Sequence, residues 1–393
     1  MKITSFEEYE KKARMHKLHV TLVTGVIIAV VLSLVGFAGV YFYGKVYDRY
    51  EVVGEEKAYS TGEVTLLAFG TDFLTYNTDG IHCVNPSGTD LWTGTYEMQS
   101  PMVEVNGNYV VVADRGGREI FIYNKEGLCG KIKTGSPVID VSISGGGIVA
   151  ASVDEGDSIS IYVYDYALDK DDKCVSKVYS TMEGSGYPVA FSCSPRGNLM
   201  AVSYMSAAGG ILSSSVAFYN FGEVGKNTRN NLMRSYSYMN ESVPMIKFMD
   251  DRTAFAVSGS RLVIYADDAG QDPESINEIL INREIRSVYY DSEHIGLVFS
   301  TESVENKYSM DIYDKKGNVI STILFNMDYE SFYFQGNKVV IMDGNECCIY
   351  KVDGRKKAEL EFADDEIRLM LPSKRYLEFT QVLETGIRRI RLK

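Results

Sequence analysis

The sequence predicts an all-β fold, a β-propeller of four-stranded blades that follows one N-terminal transmembrane helix. Three observations predict it: an uncharged apolar segment near the N-terminus, a turn motif that recurs along the chain, and strand starts with a regular spacing. That spacing, about 43 residues, is the size of a four-stranded blade. An aromatic content of 12% also favours strands, where flat rings pack well on a pleated surface.

The apolar segment, residues 18–43, contains no Asp, Glu, Lys or Arg and is the predicted transmembrane helix. At about 1.5 Å per residue it is long enough to cross a hydrocarbon core of about 30 Å. A cleaved signal peptide is the alternative, but its apolar region is usually shorter, and no small-x-small cleavage site follows Tyr43. We therefore expect a cytoplasmic tail at residues 1–17 and a retained signal anchor at residues 18–43.

The charges that flank this segment predict its orientation. Five Lys or Arg residues precede it, whereas only Lys45 and Arg49 follow closely. The positive-inside rule then places the N-terminus in the cytoplasm and the C-terminal domain outside. The total net charge is −13 and the tail carries +2, so the residues after the helix carry −15. An acidic domain of this kind excludes a nucleic-acid footprint, which needs a basic patch. Residues 5–8 (SFEE) fit a capping box and predict a short helix in the tail.

Small side chains recur every four residues along the apolar segment, at Thr21, Gly25, Ala29 and Ser33. Such a stripe lets two helices approach closely in lipid, which predicts a helix-pairing surface and a homodimer. Ordinary packing against lipid is the alternative, since small residues are common in membrane helices.

A turn motif of the form Tyr-Asp/Asn-x-x-Gly recurs after the helix, as IFIYNKEGLCGKI at 120–132 and DIYDKKGNVISTI at 311–323. Alternating apolar residues flank each turn, which predicts an antiparallel hairpin with a bulge, closed by a glycine in the left-handed conformation. With the looser copies, the predicted turn glycines are Gly88, Gly127, Gly270, Gly317 and Gly354.

The starts of apolar strands give the period of the repeat. Proline is tolerated at the first residue of a strand, where no ladder N–H is needed. Four strand starts carry proline and four continue the same phase: Pro101, Pro137, Pro188 and Pro244, then Val64, Arg286, Glu330 and Ile367. They predict eight blades within residues 61–393, with seven as the alternative count. The last unit has room for three strands, so residues 44–60 are predicted to supply a linker and a closing strand.

These units resemble WD-repeat-like and quinoprotein-like propellers, and the whole chain resembles an uncharacterised bacterial family of membrane-anchored β-propellers. Residues 60–393 carry the resemblance, although the Gly-His and Trp-Asp signatures of WD repeats are missing. The resemblance implies an interaction scaffold and names no partner.

Residues that could support catalysis are sparse. His82 and His294, the two histidines beyond the apolar segment, lie among apolar strand residues, which is typical of structural histidines. The pair Cys347-Cys348 is similar to the vicinal cysteines of quinoprotein dehydrogenases, but adjacent strand residues point to opposite faces and the chain has only one tryptophan, Trp92. We expect no catalytic residue, metal or cofactor. We expect the six cysteines to be buried free thiols, with disulfides in an oxidising compartment as the alternative.

A polar or aromatic residue lies three positions after many strand starts. These residues either face the central channel or pair between blades, and the second is favoured because buried charges need partners. The set consists of Glu104, Asp140, Lys247, Tyr289 and Tyr333.

The third and fourth units are the longest, and loops on rigid propellers commonly carry recognition. Their extra length lies at 166–173, 204–215 and 220–231. A candidate partner-binding loop within the second stretch, with an inward extension of the hairpin as the alternative, contains Tyr204, Met205, Ile211 and Leu212.

Together these features predict a single-pass protein of the cell membrane whose propeller is a non-catalytic interaction or sensing module at the cell envelope, with an envelope protein as partner. The alternative is a ligand-binding or enzymatic propeller that acts on cell-wall or extracellular carbohydrate. The 28 tyrosines are consistent with that alternative, but a diagnostic acid pair is missing.

Overall fold

A computed structural model describes residues 6–54, 57–58, 64–165, 176–180, 184–207, 210–362, 366–373, 375, 377–384 and 386–393. The chain divides into two compact units, Met1–Tyr47 and Asp48–Lys393. The first unit contains the helix and the second contains the strands.

The helix α1 (Phe6–Gly44) is 39 residues long and exposes every described side chain from residue 9 to residue 37. Its stretch Tyr9–Phe37 is long and apolar enough to cross a membrane, a property that a signal sequence shares. The helix of the tail is continuous with the apolar segment, since α1 begins at Phe6. Ser5 of the capping box lies outside the described residues.

The second unit is an eight-bladed β-propeller of four-stranded antiparallel blades, which confirms the predicted fold class. Blade 1 contains β3 (Thr65–Phe69), β4 (Asp72–Tyr76), β5 (Gly80–Val84) and β6 (Asp90–Thr95). Blade 2 contains β7 (Pro101–Asn106), β8 (Tyr109–Asp114), β9 (Glu119–Asn124) and β10 (Gly127–Lys133). Blade 3 contains β11 (Val138–Ile143), β12 (Ile148–Asp154), β13 (Ile159–Asp165) and β14 (Ser176–Ser180). Blade 4 contains β15 (Tyr187–Cys193), β16 (Leu199–Ser206), β17 (Ser213–Asn220) and β18 (Leu232–Met239).

The remaining blades complete the ring. Blade 5 contains β19 (Met245–Phe248), β20 (Thr253–Val257), β21 (Arg261–Ala266) and β22 (Glu274–Leu280). Blade 6 contains β23 (Ile285–Tyr290), β24 (His294–Ser300), β25 (Tyr308–Asp314) and β26 (Val319–Phe325). Blade 7 contains β27 (Ser331–Gln335), β28 (Lys338–Asp343), β29 (Glu346–Lys351) and β30 (Lys356–Glu361). Blade 8 contains β31 (Ile367–Pro372), β32 (Glu378–Leu383) and β33 (Gly386–Leu392), joined by β1 (Tyr50–Val52) and β2 (Lys57–Ala58).

Blade 8 joins the two ends of the propeller chain. Its last strand, β33, pairs antiparallel with β1, so that Tyr50 lies opposite Leu392, and then with β2. Glu51 forms ion pairs with Arg391, at 3.4 Å, and with Lys393. The strand that precedes the first complete blade therefore covers the edge of the last one, which leaves no open sheet edge at the seam.

The inner strand of every blade begins within one residue of its predicted start. Apolar clusters form the core between neighbouring blades. For example, Phe255 and Leu262 of blade 5 pack with Leu297 and Phe299 of blade 6. The hydrophobic core is thus divided among the blade interfaces, which is typical of propellers built from stacked four-stranded sheets.

The turn motif has a local physical basis that Asp314 and Gly317 illustrate. The Asp314 carboxylate accepts hydrogen bonds from the backbone N–H groups of Lys316 and Asn318, each at 2.8 Å, and Gly317 adopts φ 79°. Burial by itself raises the pKa of Asp314, but the bonds from Asn318 and Lys316 outweigh it and hold the pKa below its usual value. The register then shifts between Ile312 and Tyr313, the bulge that the motif predicts. All five predicted turn glycines have positive φ.

The lysine after the Asp or Asn of the motif attaches the turn to the preceding blade. Lys315 of blade 6 reaches Asp250 of blade 5 at 3.0 Å, and Lys125 of blade 2 reaches Asp72 of blade 1 at 3.1 Å. The similar stretches at 120–132 and 311–323 therefore share two roles. Each closes a hairpin, and each fixes that hairpin to its neighbour.

Two turn glycines allow backbone strain to be separated from side-chain crowding. Both glycines have positive φ, 82° at Gly116 and 79° at Gly317. A Cβ at Gly116 would meet no atom within 4 Å, whereas a Cβ at Gly317 would lie 2.7 Å from Cδ1 of Ile279. We expect Gly116→Ala to lower the free energy of unfolding by about 1 kcal/mol through strain alone. Gly317→Ala should cost about 2 kcal/mol, because the ends of the Ile279 and Asn277 side chains must also move. Urea denaturation of both variants checks this, and equal losses would contradict the crowding at Gly317.

Candidate functional site

The first candidate region lies between the inner strands and centres on an ion pair that joins blades 2 and 5. Lys247 Nζ of β19 lies 3.2 Å from Glu104 Oε2 of β7. Ser142 of blade 3 donates its hydroxyl to Glu104 Oε1 at 3.1 Å. Because blades 3 and 4 separate the two charged residues along the ring, the pair crosses the space that the inner strands surround.

Asp140 and Tyr290 complete this group, which we call the channel cluster (Glu104, Asp140, Ser142, Lys247 and Tyr290). Burial by itself lowers the pKa of Lys247, but Glu104, Tyr290 and Asp140 outweigh it, so the pKa lies above its usual value. Burial raises the pKa of Tyr290, although 37% of its surface is exposed. A side chain that is solvent-exposed and yet surrounded by protein atoms fits the wall of a narrow channel.

Tyr289 and Tyr333 of the predicted polar set lie elsewhere, between blades. Tyr289 stacks on Phe332 of blade 7 with ring centroids 4.5 Å apart, and the Tyr333 hydroxyl donates to the backbone oxygen of Met370 in blade 8. Adjacent strand residues point to opposite faces, so Tyr290 lies beside Lys247 of blade 5 whereas Tyr289 faces blade 7. Sequence reasoning missed Tyr290 because the sequence does not show which of two adjacent tyrosines faces the channel.

The second candidate region is the end of blade 4 that carries the loop between β16 and β17. Tyr204 is buried, and its hydroxyl lies 2.9 Å from that of Tyr219, so this residue extends the hairpin core. Met205 is half-buried, whereas Ile211 is 48% exposed and Leu212 is 42% exposed. Of the predicted loop residues, the structure therefore brings Ile211 and Leu212 to the surface.

Met239, which the sequence did not indicate, joins this surface and is 63% exposed. It pairs with Ser213, and the N–H of the next residue, Asn240, donates to the Leu212 oxygen at 2.9 Å. We call Met205, Ile211, Leu212 and Met239 the blade-4 tip. Three neighbouring strands of eight residues each, β16, β17 and β18, carry it.

The other two insertions differ in what the structure describes. Residues 166–173 lie outside the described residues. The stretch 220–231 forms two short 3-10 turns, Gly225–Asn227 and Arg229–Asn231, held by Asn220, whose oxygen accepts from the Asn231 side chain at 3.1 Å.

The small-residue stripe on α1 is exposed at all four positions, Thr21, Gly25, Ala29 and Ser33. The Thr21 hydroxyl donates to the Lys17 oxygen at 2.9 Å, so its polar group is satisfied within its own helix. A Cβ at Gly25 would meet no atom within 4 Å.

The cysteines and histidines occupy structural positions. Cys83, Cys193, Cys347 and Cys348 are buried free thiols, and burial raises the pKa of Cys348 to about 11, so its reactive thiolate is disfavoured. Cys347 is buried beside the Met370 sulfur at 3.5 Å. His294 lies 3.1 Å from the Asp291 carboxylate of its own turn. Within the described part of the chain, no three His, Cys, Asp or Glu residues are grouped to hold a metal ion.

The fold and these two regions define an eight-bladed propeller with a polar channel, an exposed apolar tip and one apolar N-terminal helix. Residues 43–392 match the model of a family of unknown function, DUF5711, and the chain belongs to that family. A search of curated proteins found no match.

Solved structures align with most of this chain at low sequence identity. A eukaryotic initiation factor is 13% identical with a TM-score of 0.53, and the alignment covers 85% of this chain and 83% of that one. BamB from Moraxella catarrhalis is 10% identical with a TM-score of 0.49, over 88% of this chain and all of the other. Kluyveromyces lactis Hsv2p is 12% identical with a TM-score of 0.47, over 83% of this chain and all of the other. At these identities the likeness to the initiation factor shows a shared fold.

Proposed function

We propose that this protein is a single-pass membrane protein that presents its propeller outside the cytoplasm as a non-catalytic protein-interaction module. The apolar stretch Tyr9–Phe37 supports the anchor. The excess of Lys and Arg before residue 18, where the uncharged segment begins, supports its orientation. A propeller fits an interaction module because its rigid blades hold loops and strand ends in fixed positions.

The exposed blade-4 tip is the observation that carries the proposed contact. Exposed apolar patches with polar surroundings commonly mark protein-binding surfaces. Methionine side chains such as Met239 adapt to different partner shapes because they are unbranched and flexible. The partner surface that fits this tip is an apolar segment of an envelope protein.

Blade 2 shows that an apolar tip is not a general property of these blades. Its corresponding strand ends, the last residue of β8, the first of β9 and the last of β10, are Asp114, Glu119 and Lys133. In blade 4 the same positions hold Ser206, Ser213 and Met239. The uncharged end of blade 4 can therefore be covered by a partner without the desolvation of charged side chains.

Cross-linking in intact cells tests both the location and the contact. A membrane-impermeant cross-linker should capture a partner with the full chain, and the double variant Ile211→Asp with Leu212→Asp should reduce that capture by roughly tenfold or more, because it places two carboxylates in an apolar contact. Val304→Asp is the matched control, since Val304 is a fully exposed valine in the corresponding loop of blade 6. It should leave the capture unchanged.

The outcomes separate the two parts of the proposal. Capture by a membrane-permeant reagent alone would overturn the extracytoplasmic location and keep the contact. Equal capture by all three proteins would overturn the blade-4 tip as the contact surface. No capture with either reagent would overturn the interaction module itself.

A further inference from the structure

The outermost strand of blade 6, β26, differs from the other outer strands in charge. Its sequence, VISTILF, contains no Asp, Glu, Lys or Arg. Every other outer strand that the structure describes contains at least one: Asp90 in β6, Lys131 in β10, Lys177 in β14, Arg234 in β18, Glu274 in β22, Lys356 in β30 and Glu51 in β1. Charged residues on an edge strand normally prevent pairing with another chain.

The exposed side chains of β26 are also apolar. Val319 is 58% exposed, Ile320 is 41% exposed and Leu324 is 53% exposed, whereas Ile323 and Phe325 are buried in the apolar cluster formed with blade 7. On its inner side β26 pairs with β25, and no other strand of the described structure pairs with it.

In the described structure the outer edge of β26 forms no backbone hydrogen bond with another strand, and side chains join it to blade 7 at two points. Ser321 donates its hydroxyl to the Val352 oxygen at 2.6 Å. The hydroxyl of Tyr350 in blade 7 donates to the Leu324 oxygen at 3.5 Å, the long limit for a hydrogen bond. A backbone N–H from an added strand would form a shorter bond with this oxygen.

We propose that β26 pairs antiparallel with β26 of a second copy of this chain, with Thr322 at the two-fold axis. In that register Ile320 lies opposite Leu324 of the second copy, and each Thr322 lies opposite the other. Apolar cross-strand pairs and Thr–Thr pairs both stabilise antiparallel sheets. A two-fold pairing of this kind is closed, so it yields a dimer rather than a fibre.

Charge explains why a second copy fits this edge and not another. The residues after the helix carry a net −15, which opposes association of copies at charged surfaces. The neighbouring outer strand β22, paired with itself about Asn277, would place Glu278 opposite Ile276 and Glu274 opposite Leu280. Such pairs bury a carboxylate against an apolar side chain, a cost that β26 avoids.

Site-specific cross-linking of the full chain in detergent tests this pairing. Thr322→Cys places a thiol next to its counterpart across the two-fold axis, and a short bis-maleimide should yield a cross-linked dimer. Ile276→Cys on β22 is the matched control, because Ile276 is 51% exposed on an outer strand that is not expected to pair. The unmodified chain controls for the native cysteines.

The added substitution Ile320→Lys should reduce the Thr322→Cys dimer by roughly tenfold or more, because it replaces an apolar pair with a buried charge. Leu280→Lys on β22 should leave the Thr322→Cys dimer unchanged, although Leu280 is 67% exposed.

Equal cross-linking through Thr322→Cys and Ile276→Cys, or an unchanged dimer with Ile320→Lys, would overturn the pairing. Capture of a different protein in place of a second copy would also overturn it. A dimer that forms through α1 alone would not cross-link at residue 322, so the two dimers are distinguishable.

Discussion

A propeller chain that begins at Val64 will melt at least roughly 10 °C below one that begins at Asp48, or will aggregate. The shorter chain lacks β1 and β2, so the whole outer edge of β33 loses its backbone partners. It also loses Tyr50, whose ring packs 4.6 Å from Phe362 and covers the guanidinium of Arg388, a residue that is only 8% exposed. Both the open ring and the lost contacts of Tyr50 with Phe362 and Arg388 destabilise the folded state.

A point variant distinguishes the stability that comes from the backbone pairing of β1 from the stability that comes from the Glu51 ion pairs. Glu51→Ala in the longer chain removes the contacts with Arg391 and Lys393 but keeps the backbone pairing of β1. Exposed ion pairs contribute little to stability, so this variant should melt close to the unaltered chain. Thermal unfolding followed by circular dichroism measures all three proteins. If the chains that begin at Val64 and Asp48 melt together, the seam does not depend on β1 and β2.

The parts of the fold that could be predicted from sequence are those with local causes. A strand start at Pro101 and a turn at Gly317 follow from the proline ring and from a positive φ, and each needs only neighbouring residues. The blade period could be read because it repeats such local signals. For the same reason the order of strands within each blade followed directly from the hairpins.

The parts that could not be predicted depend on contacts between distant residues or on the face of a strand that a residue occupies. Glu104 and Lys247 are 143 residues apart, and both blades must be in place before the two charges can be seen to meet. Met239 joins Leu212 only because β18 pairs with β17 along seven residue pairs. The channel cluster contains Tyr290 and not the adjacent Tyr289, and the sequence alone does not show which of the two faces the channel.

Lys247→Met will lower the free energy of unfolding by about 2 kcal/mol at neutral pH. The variant leaves the Glu104 carboxylate, which is 28% exposed, without its ion-pair partner in the channel. The expected loss is smaller than for a fully buried pair because both groups keep about a quarter of their exposure. Ser142 still donates to Glu104, but one hydroxyl does not replace an ammonium.

The pH dependence of this loss identifies its cause. In the folded state Glu104, Tyr290 and Asp140 hold the pKa of Lys247 above its usual value against the effect of burial. A group whose pKa is raised on folding contributes stability that is fully present below its unfolded pKa and is lost as the pH rises through the folded-state pKa. The deficit of Lys247→Met relative to the unaltered chain should therefore be largest at neutral pH and should shrink as the pH rises above about 10.5.

A second substitution, at Glu104, completes a double-mutant cycle for the ion pair. Glu104→Gln combined with Lys247→Met removes both charges and should recover most of the lost stability, because no unpaired charge remains in the channel. Urea denaturation of the four proteins at pH 7 and pH 11 measures the coupling between the two residues. Additive losses that do not change with pH would mean that Glu104 and Lys247 contribute independently, and that the ion pair does not hold blades 2 and 5 together across the channel.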